Sequence, residues 1–259
     1  MPFTKASSKT GYTLPDDYLS GPAPNPTATP IDFKKGGLPQ YANCYAVSLD
    51  GILTVEECNQ LLMAAESHNE GTWDRALINT GGGTQKLMED VRRCGRIIWD
   101  DQTLMDKLWA RCAPLVPEVQ ELSQKSWPLL VGKRSWKATR VNPRMRFLKY
   151  VGGTAGAEYF RPHYDGSYTD PKTKERTWFT LHLYLNDAEH QAKGDKLLGG
   201  ATTFMDHMEK NRLDYDPKIG SVLFFQHAEL YHSGEPVLSG IKYTMRSDLL
   251  FAIEPLEKK

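Results

Sequence analysis

The sequence lacks several features that define large classes of proteins. No apolar run approaches the roughly 18 residues that a membrane-crossing helix needs. The first residues contain no apolar segment of the kind found in secretory signals. Lys plus Arg equals Asp plus Glu at 32 each, so no net charge draws the chain to nucleic acid or to an anionic membrane. These absences predict a cytoplasmic globular protein without a membrane partner.

Cysteine is also scarce. The four cysteines, Cys44, Cys58, Cys94 and Cys112, are widely spaced and form no Cys-x-x-Cys pair. That spacing argues against a disulfide framework and against a structural zinc site. We therefore expect four reduced thiols in an intracellular protein.

The composition divides the chain into an arm and one domain. Residues 1–38 are rich in Pro, Gly, Thr and Ser, which predicts an extended arm that is disordered or wrapped over the surface. Residues 39–259 are enough to bury one sizeable core. Within them, helical support is expected over about 39–130 and a β core over about 135–255.

Two helices are predicted in the first part of this domain. Thr54 is a candidate N-cap, and Glu57 follows at the spacing of a capping box. The apolar periodicity that follows extends this helix to about Ser67. A second helical stretch begins at Asp101 and ends near Val116, where prolines interrupt the pattern.

Short strand-like segments separated by turn residues dominate from about Ser135 onward. They read RMRFLKYV, EYFRPHYD, TWFTLHLYLN, GGATTFM, GSVLFFQH and GIKYTMRSDLLFAI. Many short strands after a helical segment predict an α+β protein, mainly β, with a sandwich or jelly roll supported by N-terminal helices.

A histidine stands two residues before an acid at four places in the chain: His68/Glu70, His163/Asp165, His207/Glu209 and His227/Glu229. On a strand, residues two apart face the same side, whereas on a helix they point about 200° apart. Only His163/Asp165 combines a strand-like context with several strands still to come. Among those strands, His232 is a candidate third ligand. A polar pair on a sheet face remains the alternative at this point.

Two imidazoles and one carboxylate on one side of a metal suit Fe(II) and leave positions open for other ligands. Lys242 follows His232 by ten residues and shares a strand face with Thr244 and Arg246. An inward-facing cation on a sheet is costly unless an anion meets it. The carboxylate of a co-substrate would supply that anion.

These residues resemble the Fe(II)/2-oxoglutarate-dependent dioxygenases, specifically the prolyl 4-hydroxylase-like group. The resemblance covers about residues 40–255. It rests on the order and spacing of RFLKY, FRPHYDGSY, LYLN, GGATTF, PKIGSVLFFQH and HSGEPVLSGIKY. It implies a double-stranded β-helix, which is a distorted jelly roll with helices packed outside.

The resemblance also implies roles for individual residues. His163, Asp165 and His232 match the metal triad, and Lys242 matches the cation that pairs with the 2-oxoglutarate C5 carboxylate. Three further positions, Tyr150, Tyr184 and Thr202, match residues near the co-substrate. Arg246 is a rival for the C5 carboxylate, because a guanidinium makes a better bidentate clamp.

The implied reaction couples oxidative decarboxylation of 2-oxoglutarate by Fe(II) and O2 to C–H oxidation, usually hydroxylation, with ascorbate as a candidate reductant. The substrate would be a small molecule, a peptide or an amino-acid side chain. His182, Arg92 and Arg93 are candidate substrate contacts, although a core histidine and solvated arginines are the alternatives. The oligomeric state is left open by the sequence.

Two other functions compete with this one. A non-catalytic binding module on the same barrel is the first, and an intact triad argues against it. A nucleic-acid oxidative demethylase is the second, suggested by the basic run at 133–146. Only one aromatic residue interrupts that run, so nucleic acid is not the expected partner.

Overall fold

The computed structural model describes residues 11–80, 84–127, 131, 134–153, 156–191 and 194–253. Helix α1 spans Val55–His68 and helix α2 spans Gln102–Cys112. The predicted capping box is confirmed at α1, where the Glu57 backbone donates to Thr54 Oγ1 and the Thr54 backbone donates to the Glu57 carboxylate. Short 3₁₀ turns lie at Pro39–Tyr41, Ala113–Leu115 and Pro117–Val119.

The strands of the described residues fall into two larger sheets and two small two-stranded sheets, β4-β5 and β13-β18. Those before the β core are β1 Thr27–Pro30, β2 Ala46–Asp50, β3 Asp74–Arg75, β4 Ile78–Asn79, β5 Gln85–Lys86, β6 Arg92–Arg93, β7 Gly95–Asp100 and β8 Glu121–Leu122. Those of the β core are β9 Trp136–Val141, β10 Arg144–Val151, β11 Tyr159–His163, β12 Arg176–Tyr184, β13 Leu198–Gly199, β14 Thr202–Met205, β15 Arg212–Tyr215, β16 Val222–Gln226, β17 His232–Gly234, β18 Val237–Ser239 and β19 Ile241–Ile253.

The larger sheet is antiparallel and runs β1-β2-β16-β12-β19-β10-β7-β3. The long strand β19 also pairs with β9, and β9 in turn pairs with β8. The smaller sheet runs β15-β14-β17-β11-β6. Strand neighbours are mostly far apart in sequence, as in a jelly roll rather than a meander. The predicted mainly β fold with N-terminal helices is thus confirmed.

Aromatic side chains fill the space between the two sheets. Phe204 of β14 contacts Phe225 of β16 edge to face at 5.5 Å between ring centroids, and Phe225 lies 4.9 Å from the His232 ring. On the other face of the larger sheet, Phe179 and Phe224 stack at 5.2 Å within the main core, which α1 and α2 cover. Edge-to-face and offset aromatic pairs of this kind stabilise a core beyond their buried area.

The described part of the proline-rich segment packs against the domain. Tyr18 and Leu19 are buried in the main core, and β1 pairs with β2 at the edge of the larger sheet. The division between an arm at 1–38 and a domain at 39–259 stays a prediction. All four cysteines are free thiols, and no described helix is long and apolar enough to cross a bilayer.

Candidate metal and co-substrate site

Two histidines and an aspartate converge at one end of the smaller sheet. His163 ends β11 and His232 begins β17, and the two are direct partners across these antiparallel strands. Asp165 lies two residues beyond the end of β11 and is buried. One ligand atom from each of the three residues lies within 4.8 Å of the others. The predicted strand therefore ends earlier than expected, but the chain still brings Asp165 beside both imidazoles.

Both imidazoles are held with the same nitrogen turned to the aspartate. The Nδ1 atom of His163 contacts the Arg161 carbonyl oxygen at 2.8 Å, and Nδ1 of His232 contacts the Leu230 carbonyl oxygen at 3.0 Å. A carbonyl only accepts, so each Nδ1 carries the proton and each Nε2 presents a lone pair. The Nε2 atoms lie 3.7 and 3.8 Å from the Asp165 carboxylate oxygens. This arrangement of backbone carbonyls is typical of metal-binding histidines.

The Asp165 carboxylate is oriented by two donors from the larger sheet. Thr180 Oγ1 donates to Oδ2 at 2.5 Å, and Arg246 Nη2 lies 3.0 Å from Oδ1. Burial alone would raise the pKa of Asp165, but Arg246 and the two neighbouring histidines hold it well below its usual value. Burial lowers the pKa of His232 to about 4, with a contribution from His163. The cluster is therefore an anionic carboxylate beside a neutral His232, the protonation states that metal binding requires.

Arg246 is itself fixed by a second carboxylate. Its Nη2 atom contacts Asp248 Oδ1 at 3.1 Å, and Arg146 Nη1 contacts the other oxygen of Asp248 at 3.2 Å. His227 is buried beside the same carboxylate, with Nε2 3.4 Å from Oδ1. These contacts commit Arg246 to two carboxylates.

Lys242 occupies the other end of the site. It is the cross-strand partner of Tyr150, and its ammonium lies 5.6 Å from the ring centroids of both Tyr150 and Tyr184. Its Nζ donates to the Gly200 carbonyl. Gly200 has a φ of +75°, and a Cβ there would stand 3.1 Å from the Lys242 side chain, so glycine leaves room for the lysine stem.

The charge of Lys242 has no acidic partner among the described residues. Burial lowers the pKa of this lysine to about 7, which is expected for a buried ammonium without an adjacent carboxylate. The Tyr184 hydroxyl and Thr202 Oγ1 are 2.7 Å apart and satisfy each other.

A cavity connects the Lys242 end to the metal cluster. Its lining includes Tyr150, His182, Thr202 and Arg92 together with the three clustered residues and both β19 cations. Buried His182 Nε2 has no hydrogen-bond partner in the described part of the chain, and burial followed by Lys242 lowers the pKa of His182 well below its usual value. A His₂Asp donor set, an unpaired lysine and an unsatisfied imidazole fit Fe(II) and a dicarboxylate.

The structure brings most of the predicted site residues to this cavity. Tyr184 stands behind its wall and reaches it through Thr202. Arg93 does not line the cavity, because it follows Arg92 on the two-residue strand β6 and faces the other way. The cavity lining therefore gives no support to the predicted contact between Arg93 and substrate.

Some residues that shape the site were missed. Thr180 and Asp248 orient Asp165 and Arg246, and Phe160 stacks on the His163 ring at 3.7 Å between centroids. Thr180 and His182 are two residues apart on β12 and therefore point to the same face, as do Arg246 and Asp248 on β19. This two-residue periodicity is the sequence signal that could have placed Thr180 and Asp248 near the site.

The basic run at 133–146 has its own acidic partners. Residue 133 lies outside the described residues. Of the others, Arg140 pairs with Glu175 at 2.7 Å, and Arg144 pairs with Asp100 at 2.8 Å. Arg140 and Arg144 are therefore paired with acids within the fold.

Known proteins resemble this chain both in the sequence around the site and in the fold. Residues 145–247 match the family model described as the 2OG-Fe(II) oxygenase superfamily. A prolyl-4-hydroxylase from Pseudomonas putida is 17% identical over 84% of this chain and 98% of its own, with a TM-score of 0.53. No curated protein matches the chain by sequence.

Two further solved structures are similar at lower scores. A viral collagen prolyl hydroxylase from Paramecium Bursaria Chlorella virus-1, in complex with 2-oxoglutarate, is 21% identical over 80% of this chain and 96% of its own, with a TM-score of 0.46. A Trichoplax adhaerens prolyl hydroxylase is 13% identical over 84% of this chain and 85% of its own, with a TM-score of 0.49. Residues 145–247, which contain the His163/Asp165/His232 cluster and Lys242, thus match the 2OG-Fe(II) oxygenase superfamily, and the chain has a fold similar to that of the Pseudomonas putida prolyl-4-hydroxylase.

Proposed function

We propose that this oxygenase hydroxylates a C–H bond of a small molecule or of an amino-acid side chain. The observation that carries the proposal is the pairing, across one cavity, of the His163/Asp165/His232 cluster with a buried lysine that has no acidic partner among the described residues. The His163/Asp165/His232 cluster matches Fe(II), and the buried lysine matches the distal carboxylate of 2-oxoglutarate.

In this proposal His163, Asp165 and His232 hold Fe(II) through two Nε2 atoms and one carboxylate. The bound iron, 2-oxoglutarate and O2 supply the oxidising power, with succinate and CO2 as the other products. The backbone carbonyls of Arg161 and Leu230 keep both imidazoles in the tautomer that can bind a metal.

Lys242, rather than Arg246, takes the C5 carboxylate. Arg246 already contacts Asp165 and Asp248 at about 3 Å, so moving it would leave the buried Asp165 carboxylate without its arginine and Asp248 with Arg146 alone. Within the described part of the chain, the ammonium of Lys242 makes a hydrogen bond to the Gly200 carbonyl and contacts with two aromatic rings, and it has no ion pair. A carboxylate beside it would restore a fully charged ammonium and relieve the cost of its burial.

Arg246 and Thr180 act on the reaction through Asp165. Two donors on one carboxylate fix its rotation and keep it ionised. The apolar wall formed by Leu148, Phe160 and Phe225 limits the water that reaches the cluster. Together the two donors and this wall hold the Asp165 carboxylate in a fixed orientation beside apolar surface.

The test begins with anaerobic titration of the protein by Fe(II) and 2-oxoglutarate. We expect a visible charge-transfer band in the wild type and none in His163→Ala. His207→Ala is the matched control, since His207 is an exposed histidine that contacts Tyr164 rather than the cluster. A wild type that folds and shows no band, or a His163→Ala protein that keeps it, would contradict the proposal.

Succinate release separates an enzyme from a binding module. Under O2, a broad panel of small molecules and peptides should contain compounds that raise succinate release above background. Release that stays at background while the band forms would identify a non-catalytic module instead. The product of the active compounds should be heavier by one oxygen atom.

A further inference from the structure

Arg92 is a buried cation that lines the same cavity as Lys242. Unlike Arg246, it has no carboxylate partner among the described residues. It is 9% exposed and lines the cavity together with the metal cluster. No carboxylate of the described residues lies within ion-pair distance of its guanidinium. Its Nε donates to the Cys94 sulfur at 3.3 Å, and its Cζ lies 4.5 Å from the Phe160 ring centroid.

The register of the smaller sheet places Arg92 near the reacting end of the cavity. Arg92 and Phe160 are direct partners between β6 and β11. Phe160 then stacks on the ring of His163. A guanidinium over an aromatic face gains some stabilisation, but this contact does not neutralise its charge.

A charge balance over the site shows why Arg92 matters. A divalent metal would offset Asp165 and the C1 carboxylate of 2-oxoglutarate, and Lys242 would offset the C5 carboxylate. Asp248 is shared by Arg246 and Arg146. Of the described lysine and arginine side chains that line the cavity, Arg92 is the one left without an anion.

We propose that Arg92 binds a carboxylate of the substrate, so that the site acts on a small free acid rather than on an internal residue of a polypeptide. The inference rests on the proposed function and narrows its substrate class. A guanidinium presents paired donors that match a carboxylate.

The first arm of the test uses matched pairs of probes. Small 2-amino and 2-hydroxy monocarboxylic acids are compared with their primary amides, which keep the shape and lose the charge. The wild-type protein with Fe(II), 2-oxoglutarate and O2 should release succinate with some of the acids, and about tenfold less with the corresponding amides. Equal stimulation by acids and amides, a preference for capped peptides, or no stimulation by any acid would overturn the inference.

The second arm assigns the effect to Arg92. Arg92→Gln should lose about tenfold or more of the apparent affinity for the active acids. Arg93→Gln is the matched control, because it removes the same charge from the neighbouring residue outside the cavity. Should Arg92→Gln not fold, Arg92→Lys keeps a cation without the paired donors and should show a smaller loss for the acids.

A binding measurement separates substrate from co-substrate. In Mn(II)-loaded protein without turnover, calorimetric titration should give 2-oxoglutarate dissociation constants for Arg92→Lys and Arg92→Gln within about twofold of the wild type. A much weaker constant would make Arg92 part of the 2-oxoglutarate site and overturn this inference while leaving the proposed function intact. If the wild-type protein showed no charge-transfer band in the anaerobic titration, that result would instead contradict the proposed function.

Discussion

The charge of Lys242 should make 2-oxoglutarate binding depend on pH in a way that one substitution removes. Burial lowers the pKa of this lysine to about 7. In the free protein, Lys242 therefore loses its proton within the pH range in which enzymes are commonly assayed. If the C5 carboxylate binds the protonated form, the association constant follows the protonated fraction. That fraction falls about 30-fold between about pH 6 and pH 8.5, or about 2 kcal/mol of binding free energy.

The assay is calorimetric titration of Mn(II)-loaded protein with 2-oxoglutarate at a series of pH values. Binding should be nearly constant below about pH 6.5 and weaken by about tenfold per unit well above pH 7. Lys242→Arg is the matched variant, because a guanidinium stays charged throughout this range. Its profile should be flat over the same interval.

Two results would refute this reasoning. A flat wild-type profile would mean that Lys242 keeps its proton or does not meet the dicarboxylate. An equally steep profile in Lys242→Arg would assign the pH dependence to another group. A larger loss of 2-oxoglutarate affinity in Arg246→Ala than in Lys242→Ala would reverse the roles of the two cations.

Three further predictions concern the ligand and the fold. Asp165→Asn should weaken Fe(II) binding by about tenfold or more while the thermal midpoint stays near that of the wild type, and unchanged metal affinity would contradict its assignment. Lys242→Met should raise the free energy of unfolding of the co-substrate-free protein by about 1–4 kcal/mol in urea at neutral pH, because it removes a buried charge; a less stable variant would show that the ammonium is not a cost. Arg111→Met should lower the free energy of unfolding by about 3 kcal/mol, because it leaves Glu57 without its cation and the Ile52 carbonyl without the guanidinium donor. A change below about 0.5 kcal/mol would count against that contact.

Features that depend on a few neighbouring residues could be predicted from the sequence. The capping box at Thr54 and Glu57 is one, since both halves of it lie within one helical turn. The long strand β19 is another, and its alternation correctly put Lys242 and Arg246 on the cavity side. The metal cluster was predicted from strand context, although Asp165 lies just past the strand and reaches the cluster through the turn that follows.

Features that depend on pairing between distant segments could not be predicted in the same way. The sequence offers Arg92 and Arg93 as equivalent candidates, and the pairing of β6 with β11 decides which one faces the cavity. The choice between the two β19 cations depends on Asp165, which is 81 residues before Arg246 in the chain. Asp248 was the one local signal, because it is two residues after Arg246 on the same strand face.

The site exists only where the two sheets meet, and this explains the distribution of its charges. The smaller sheet and the turn after it supply both imidazoles and Asp165, whereas the larger sheet supplies Thr180, Lys242 and Arg246. Ionic contact across the interface is made by Arg246 and Asp165 at 3.0 Å. Lys242 and Arg92, one on each sheet, remain without acids among the described residues. Because an unpaired buried cation costs stability in the free protein and gains it back when an anion binds, the same two residues should make the folded state more stable when their anions are bound.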